Sequence, residues 1–274
     1  MKLILLVVMT MIFSERARAD NSLRVVSEFL PPFQVFNDAG QFSGRAVDMM
    51  EVILKEANME ESEIDVMPWA RAYKTATKEK NVAIFSIAYS EKRKNLFHWI
   101  GPLYALERSS LIGLNHREDL AITSLEDAKR FRVCSELETY SYQQLQTLGF
   151  EQNKNLFSLN SLLNTFRTPD GSVARPALRI SLLRNGKCDF VLGPWSTYAF
   201  DDSIGKDLKS FLYLGDPESP LVLNLAINPK SDPSVISALE NAYNRLRKSG
   251  KLYDVCTQDD PKKLHVASCE AAAP

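Results

Sequence analysis

The sequence predicts an α/β chain of two lobes, built on two open, mainly parallel sheets that are joined by two hinge crossings. Three observations lead there. Short apolar, β-favouring runs alternate with segments of helical periodicity, as a parallel layer requires. The alternation restarts after a strand at Ser109 to Leu114, and a late strand at Leu221 to Ile227 supplies a second crossing. The chain has 274 residues, 45% of them hydrophobic, which is enough for two cores.

Taken in order, Met1-Lys2, the apolar run Leu3 to Phe13 and Ala17-Arg18-Ala19 read as a signal peptide over residues 1 to 19. Its apolar run is short for a membrane span, and no Cys follows to carry a lipid. A soluble exported protein is expected, periplasmic in a two-membrane bacterium. The first lobe opens with a strand at Leu23 to Ser27, a Pro31-Pro32 turn, Phe33 to Phe36, a polar turn through Asp38 to Gly44, and a helix at Val47 to Glu56. A strand at Ile64 to Met67, a helix at Trp69 to Lys78 and a strand at Val82 to Ile87 follow.

In the second lobe the expected order is helix Leu125 to Lys129, strand Phe131 to Ser135, helix Tyr140 to Leu148 and strand Leu156 to Leu159. An exposed polar loop at Thr168 to Arg175 precedes a helix from about Pro176 to Arg184 and a strand at Cys188 to Leu192. After Leu221 to Ile227, the helix Ser234 to Lys248 places Ile236, Leu239, Tyr243 and Leu246 at helical spacing, a packing stripe. With hinges near Leu111 and Leu223, residues 20 to 110 and 220 to 274 form one discontinuous lobe around an inserted lobe of 112 to 218. Two crossings permit hinge closure.

Charge narrows the function. There are 33 Lys+Arg against 34 Asp+Glu, and cleavage after residue 19 removes three bases and one acid, so the mature 255 residues carry −3. This near balance implies no nucleic-acid or acidic-membrane partner. Cys134, Cys188, Cys256 and Cys269 are an even set in an exported chain and favour disulfides. Of three possible pairings, Cys134 with Cys188 and Cys256 with Cys269 are preferred. His98, His116 and His265 lack neighbours at ligand spacing, so no metal is expected. No G-x-S-x-G elbow or P-loop is present, and no cofactor is implied.

The segment with the most chemistry is VAIFSIAYSEKRKNLFHWIGPLY, from Val82 to Tyr104. Its apolar start suits a strand covered on both faces. Ser90 reads as an N-cap for the turn Glu91-Lys92-Arg93-Lys94, which brings the Arg93 guanidinium beside free backbone N–H groups. That pairing suits a carboxylate. A solvated charged turn is the alternative reading of Lys92-Arg93-Lys94 from the residues alone.

SIAYSEKRKNLFHWIGPLY, PPFQVFNDAGQFSGRAVDMMEVILKEA and VMPWARAYKTATKEKNVAIFSIAYSEKR resemble family 3 periplasmic solute-binding proteins, of the type II periplasmic binding fold, across nearly the whole mature chain. The resemblance implies that Ser86 and Arg93 hold a ligand's α-carboxylate and that Trp69 forms an aromatic wall. It also implies that Thr139 and Tyr140, in RVCSELETYSYQQL, complete the shell from the second lobe. Two departures stand out. Glu138 replaces the usual Gly before the Thr, which puts an acid near the cleft and tells against a close backbone approach. Gly193-Pro194-Trp195 stands where amino-acid binders carry an Asp for the α-ammonium. Either Glu138 or Glu28 substitutes, or the ligand is not a standard α-amino acid, and Trp195 is then a stacking surface.

The expectation is a monomeric binding protein, not an enzyme, that closes on a small polar carboxylate-bearing molecule such as an amino acid. ABC-type uptake through a membrane permease is the first reading. An exported ligand sensor acting on a membrane partner is the alternative. A dehydratase-like enzyme on the same fold is a third, with Glu138 as its acid or base.

Overall fold

The computed structural model describes residues 22–159, 175–199, 205–215, 220–258 and 267–274. The expected signal peptide and nearly all of the loop at Thr168 to Arg175 lie outside them. The first part of the chain forms β1 (Arg24–Ser27), a small hairpin of β2 (Val35–Phe36) and β3 (Phe42–Ser43), α1 (Arg45–Glu56), β4 (Ile64–Val66), α2 (Trp69–Lys78), β5 (Val82–Ala88) and β6 (His98–Leu106). The middle contributes β7 (Ser109–Leu114), α3 (Leu125–Ala128), β8 (Val133–Ser135), α4 (Tyr140–Thr147), β9 (Leu156–Ser158), α5 (Arg175–Arg184), β10 (Phe190–Pro194), α6 (Ser196–Ala199) and β11 (Leu208–Tyr213). The last part adds β12 (Leu221–Ile227), α7 (Pro233–Lys248), α8 (Lys251–Thr257), β13 (Ala267–Ser268) and a 3-10 turn at Cys269–Ala272.

Two sheets carry the fold. The six-stranded sheet runs β13-β6-β12-β5-β1-β4, and the five-stranded sheet runs β11-β7-β10-β8-β9. Both are mixed. β1 is parallel to β4 and β5, and β8 is parallel to β9 and β10, whereas β6, β7, β11 and β12 pair antiparallel. The antiparallel strands are the ones that flank the passages between sheets, at Glu107-Arg108 and again between Tyr213 and Leu221. Glu107 accepts the Ser196 backbone N–H at 2.6 Å and the Ser196 hydroxyl at 3.2 Å, and Arg108 donates to the Gly215 carbonyl at 3.0 Å.

β6 is the largest element that the sequence reading missed, because Gly101-Pro102 interrupts its apolar run and Pro argues against an inner strand. The strand tolerates them through register shifts in its pairing with β12, where Pro102 faces Asn224. The same pair admits the Tyr243 ring. An added Cβ at Gly101 would lie 2.4 Å from it, and the Tyr243 hydroxyl donates to the Pro102 carbonyl at 2.8 Å. β11 and α8 were also missed.

β5 is buried along its whole length, and its side chains sort between two cores. Val82 and Ile84 pack with Trp69 and Ala72 of α2, while Ala83 and Phe85 pack with α1 and α7. After Ser86 the parity reverses, with Ile87 on the α2 side and Ala88 on the other. Ser86 has a φ of 60°, and the pairing with β12 shifts opposite it. This is a β-bulge, which bends the strand end and re-aims the residues after it. Both preferred disulfides are present. Cys134 joins Cys188, holding β8 beside the start of β10, and Cys256 joins Cys269, holding the C-terminal turn on α8.

Candidate functional site

The bulge at Ser86 leads into a cavity of about 80 Å³ between the two sheets. At roughly 10–15 Å³ per water-sized occupant, that is room for a handful of heavy atoms. Ser86, Arg93, Trp69, Thr139 and Tyr140 all line it. Trp195 does not.

Ser86 is held from both sides. Its hydroxyl donates to the Gln34 Oε1 and accepts from the Tyr104 hydroxyl at 2.9 Å. Burial pushes the Tyr104 phenol far above its ordinary range, so it remains a donor. Gln34 and Tyr104 had no signal in the sequence reading, because they meet Ser86 only through contacts 52 and 18 residues apart in the chain.

Residues 91 to 96 form turns instead of a helix, and Ser90 is not a side-chain cap. Its hydroxyl is buried without a hydrogen-bond partner, while its carbonyl accepts the Arg93 N–H at 2.9 Å. Arg93 nevertheless points inward and is wholly buried. Its guanidinium donates from Nη1 to the Ala88 carbonyl at 2.9 Å and from Nη2 to the Glu138 carbonyl at 2.7 Å, and Nε has no partner. The group lies over the rings of Trp69 and Tyr73, at 5.7 and 5.1 Å from their centroids. Tyr73 is one helical turn from Trp69 and was legible by that spacing. Burial pulls the pKa of Arg93 below its ordinary value, opposed by Tyr73 and Glu138. Among the described residues no carboxylate forms an ion pair with it.

Trp69 opens α2, is 3% exposed, and donates from its indole Nε1 to the same Glu138 carbonyl at 2.8 Å. Glu138 takes the left-handed conformation, φ 63°, that a Gly would take. The expected loss of a close backbone approach is therefore corrected. The peptide carbonyl comes within hydrogen-bond distance of two side chains, those of Trp69 and Arg93, at the conformational cost of a non-Gly residue in this region. The Glu138 carboxylate accepts from Gln143 Nε2 at 3.1 Å and does not line the cavity. The acid that does line it from β1's end is Glu28, 6% exposed.

Thr139 caps α4. Its hydroxyl accepts the Tyr142 N–H at 3.1 Å and donates to the Glu136 carbonyl at 2.7 Å. Tyr140, the first residue of α4, packs against the core of the six-stranded sheet, and Ser141 shares a hydrogen bond of 3.0 Å with Ser109. Trp195 packs, partly buried, against the core cluster that contains Ile112, Cys134 and Val191. It follows the last residue of β10, and although Leu192, Gly193 and Pro194 line the cavity, Trp195 does not. A stacking role for Trp195 is thus not supported by its placement.

The family model of the bacterial extracellular solute-binding proteins, family 3, matches residues 23–258. The chain belongs to this family. No curated protein matches it significantly by sequence. Among solved structures, a histidine kinase sensor domain with similarity to periplasmic binding proteins superimposes with a TM-score of 0.67 at 18% identity, over 89% of this chain and 96% of that one. An ancestral arginine-binding protein bound to glutamine gives 0.63 at 18%, over 86% and 96%. The arginine-, lysine-, histidine-binding protein ArtJ from the thermophilic bacterium Geobacillus stearothermophilus gives 0.65 at 16%, over 88% and 97%. These likenesses establish the periplasmic-binding-protein fold for this family 3 member. Among the described residues, no helix is long and apolar enough to cross a membrane.

Proposed function

We propose that this family 3 protein works in the periplasm and captures a small carboxylate-bearing polar solute, an amino acid or related compound, by closing two lobes on it. Residues 20–110 with 220–274 form one lobe and 112–218 the other, and the bound solute passes to an ABC-type permease. One observation carries the reading: a wholly buried guanidinium in the cavity wall, with an unused Nε–H and no ion-paired carboxylate among the described residues. A buried charge is costly until it is paired, and a ligand carboxylate pairs it. Trp69 supplies an apolar wall, and the backbone N–H groups at the start of α4, beside Thr139 and Tyr140, add donors on the second lobe. Glu28 takes the place of the missing Asp and receives the ligand's cationic group. The protein binds without turning its ligand over, since the Glu138 carboxylate that a dehydratase reading needs is engaged with Gln143.

The test is the melting temperature of the mature protein, disulfides intact, against amino acids, dicarboxylates, short peptides, polyamines and aromatic acids. A selective rise with compounds that carry a carboxylate, without product, supports capture. A rise only with carboxylate-free polyamines refutes the Arg93 anchor, and a rise with turnover refutes the binding-only reading. The likeness to a sensor domain favours a second reading, in which the closed form signals to a membrane partner. Radiolabelled uptake by cells lacking the protein separates the two, because only the transport reading requires uptake to fall.

A further inference from the structure

A second cavity, of about 150 Å³, lies at the two passages between the sheets. Arg108 lines it from the first passage, Gly215 and Leu221 from the second, and Tyr140 and Gln144 from α4. Tyr140 and Leu221 line the first cavity as well, so the two compartments adjoin. The polar side chains of the second are donors. Arg108 is partly buried, donates from Nη1 to the Gly215 carbonyl at 3.0 Å, and lies over the Tyr213 ring at 5.0 Å from its centroid. These contacts hold the guanidinium and occupy one of its five N–H groups. An added Cβ at Gly215 would lie 3.8 Å from Gln144 Nε2, which puts that side-chain amide beside the residue that Arg108 bonds. Among the described residues no carboxylate lines this cavity, and none forms an ion pair with Arg108. A planar fork steadied on a carbonyl and a ring, in a compartment without an acid, matches the oxygens of an anion.

We propose that this cavity is a second anion subsite, with Arg108 as its charge and Gln144 as a neutral donor, and that it takes the distal carboxylate of a ligand whose first carboxylate is held at Arg93. The substrate class is then an α-amino acid whose side chain ends in a carboxylate, with the chain running past Tyr140 and Leu221. That part rests on the reading of Arg93 as anchor. The subsite itself does not, because a free inorganic anion such as sulfate presents the same oxygens to Arg108.

Calorimetry on the mature protein tests the tethered anion, with 2-aminoadipate and 2-aminopimelate set against norleucine and 2-aminoheptanoate, the chains of equal length that lack the distal carboxylate. At least one diacid should bind about tenfold to a hundredfold more tightly than its partner, the effect of one charge-assisted hydrogen bond. Arg108→Gln should erase that advantage, and Arg108→Lys, which keeps the charge without the planar fork, should restore part of it. Sulfate tests the free anion. A melting temperature that rises in sulfate over chloride of equal ionic strength, in wild type but not in Arg108→Gln, assigns the subsite to a free anion if the diacids show no advantage. A diacid advantage that survives Arg108→Gln overturns the subsite, as does the absence of both a diacid advantage and an Arg108-dependent response to sulfate. If Arg108→Gln fails to fold, Gln144→Leu should cut the diacid advantage or the sulfate response about threefold to tenfold, and an undiminished effect overturns the subsite. Arg93→Met keeps the two failures apart: amino-acid binding that survives in that variant refutes the anchor and leaves the Arg108 comparison standing.

Discussion

Replacing Arg93 with Met separates binding from folding. The substitution removes two N–H···O=C bonds, to Ala88 at 2.9 Å and to Glu138 at 2.7 Å, each charge-assisted and worth about 1.5–3 kcal/mol. It also removes two ring contacts, worth about 0.5–2 kcal/mol each. Against these losses, it relieves a wholly buried cation with no carboxylate among the described residues, a penalty of several kcal/mol, and Met fills much of the same volume. The terms oppose each other, so the ligand-free stability of Arg93→Met should stay within about 2 kcal/mol of wild type, the scale of ordinary single substitutions. Ligand binding has no such compensation. Loss of one partner of a buried charge pair costs about 2–5 kcal/mol, thirtyfold to several-thousandfold in Kd.

The assay is a thermal melt with a carboxylate ligand fixed at 100 times its wild-type Kd. Wild type should gain about 2.7 kcal/mol, a rise of about 5–10 °C for a protein of this size. Arg93→Met should gain less than about 1 kcal/mol, a rise of no more than about 3 °C. A full wild-type rise in the variant refutes the anchor. A ligand-free melting temperature lower by more than about 15 °C refutes the claim that burial of the charge offsets its hydrogen bonds.

Three further outcomes follow from named contacts. Removing the Cys256–Cys269 bond by double substitution to Ala should cost about 3 kcal/mol in the chain-entropy model, for a sequence separation of 13. Denaturant melts of the oxidised wild type and the variant measure it, and equal midpoints would show that the tail is held by packing alone. Asp189 is 7% exposed, and burial raises its pKa while the hydrogen bonds from Arg132 N and Nε, at 2.9 and 3.1 Å, prevail and hold it below its ordinary 3.8. A depressed folded value means stability that is present at neutral pH and lost as pH falls below 3.8 through the folded value. Asp189→Asn should therefore melt lower than wild type at pH 7, and the gap should narrow in acid; a constant gap refutes the linkage. Trp195→Leu should leave ligand Kd within about twofold, since Trp195 packs against the core cluster around Val191 and does not line the cavity, at a folding cost of about 1–3 kcal/mol. A tenfold loss of affinity by calorimetry would return Trp195 to the site.

What the sequence by itself determined was the alternation of elements and the class of fold. The helix Trp69–Lys78 and the strand Leu221–Ile227 lie where the sequence pattern placed them, because helical period and short apolar runs are local properties written into consecutive residues. The disulfide pairs were preferred correctly, and of the residues lining the cavity Ser86, Arg93, Trp69, Thr139 and Tyr140 were named through resemblance to the family and not through local periodicity. Tertiary structure decided the rest. β6 forms across Gly101-Pro102 because β12 shifts register to accept them and Tyr243 fills the space, which no local propensity encodes. The packing of Trp195 against the second core cluster is a tertiary contact, and the reversal at Ser86 follows from a bulge that only sheet pairing reveals. Above all, Arg93 and Trp69 meet the Glu138 carbonyl across separations of 45 and 69 residues. Burial turns a lysine-flanked arginine, which reads locally as a solvated turn, into an enclosed cation, since the packing of the whole fold determines which charges lose their water.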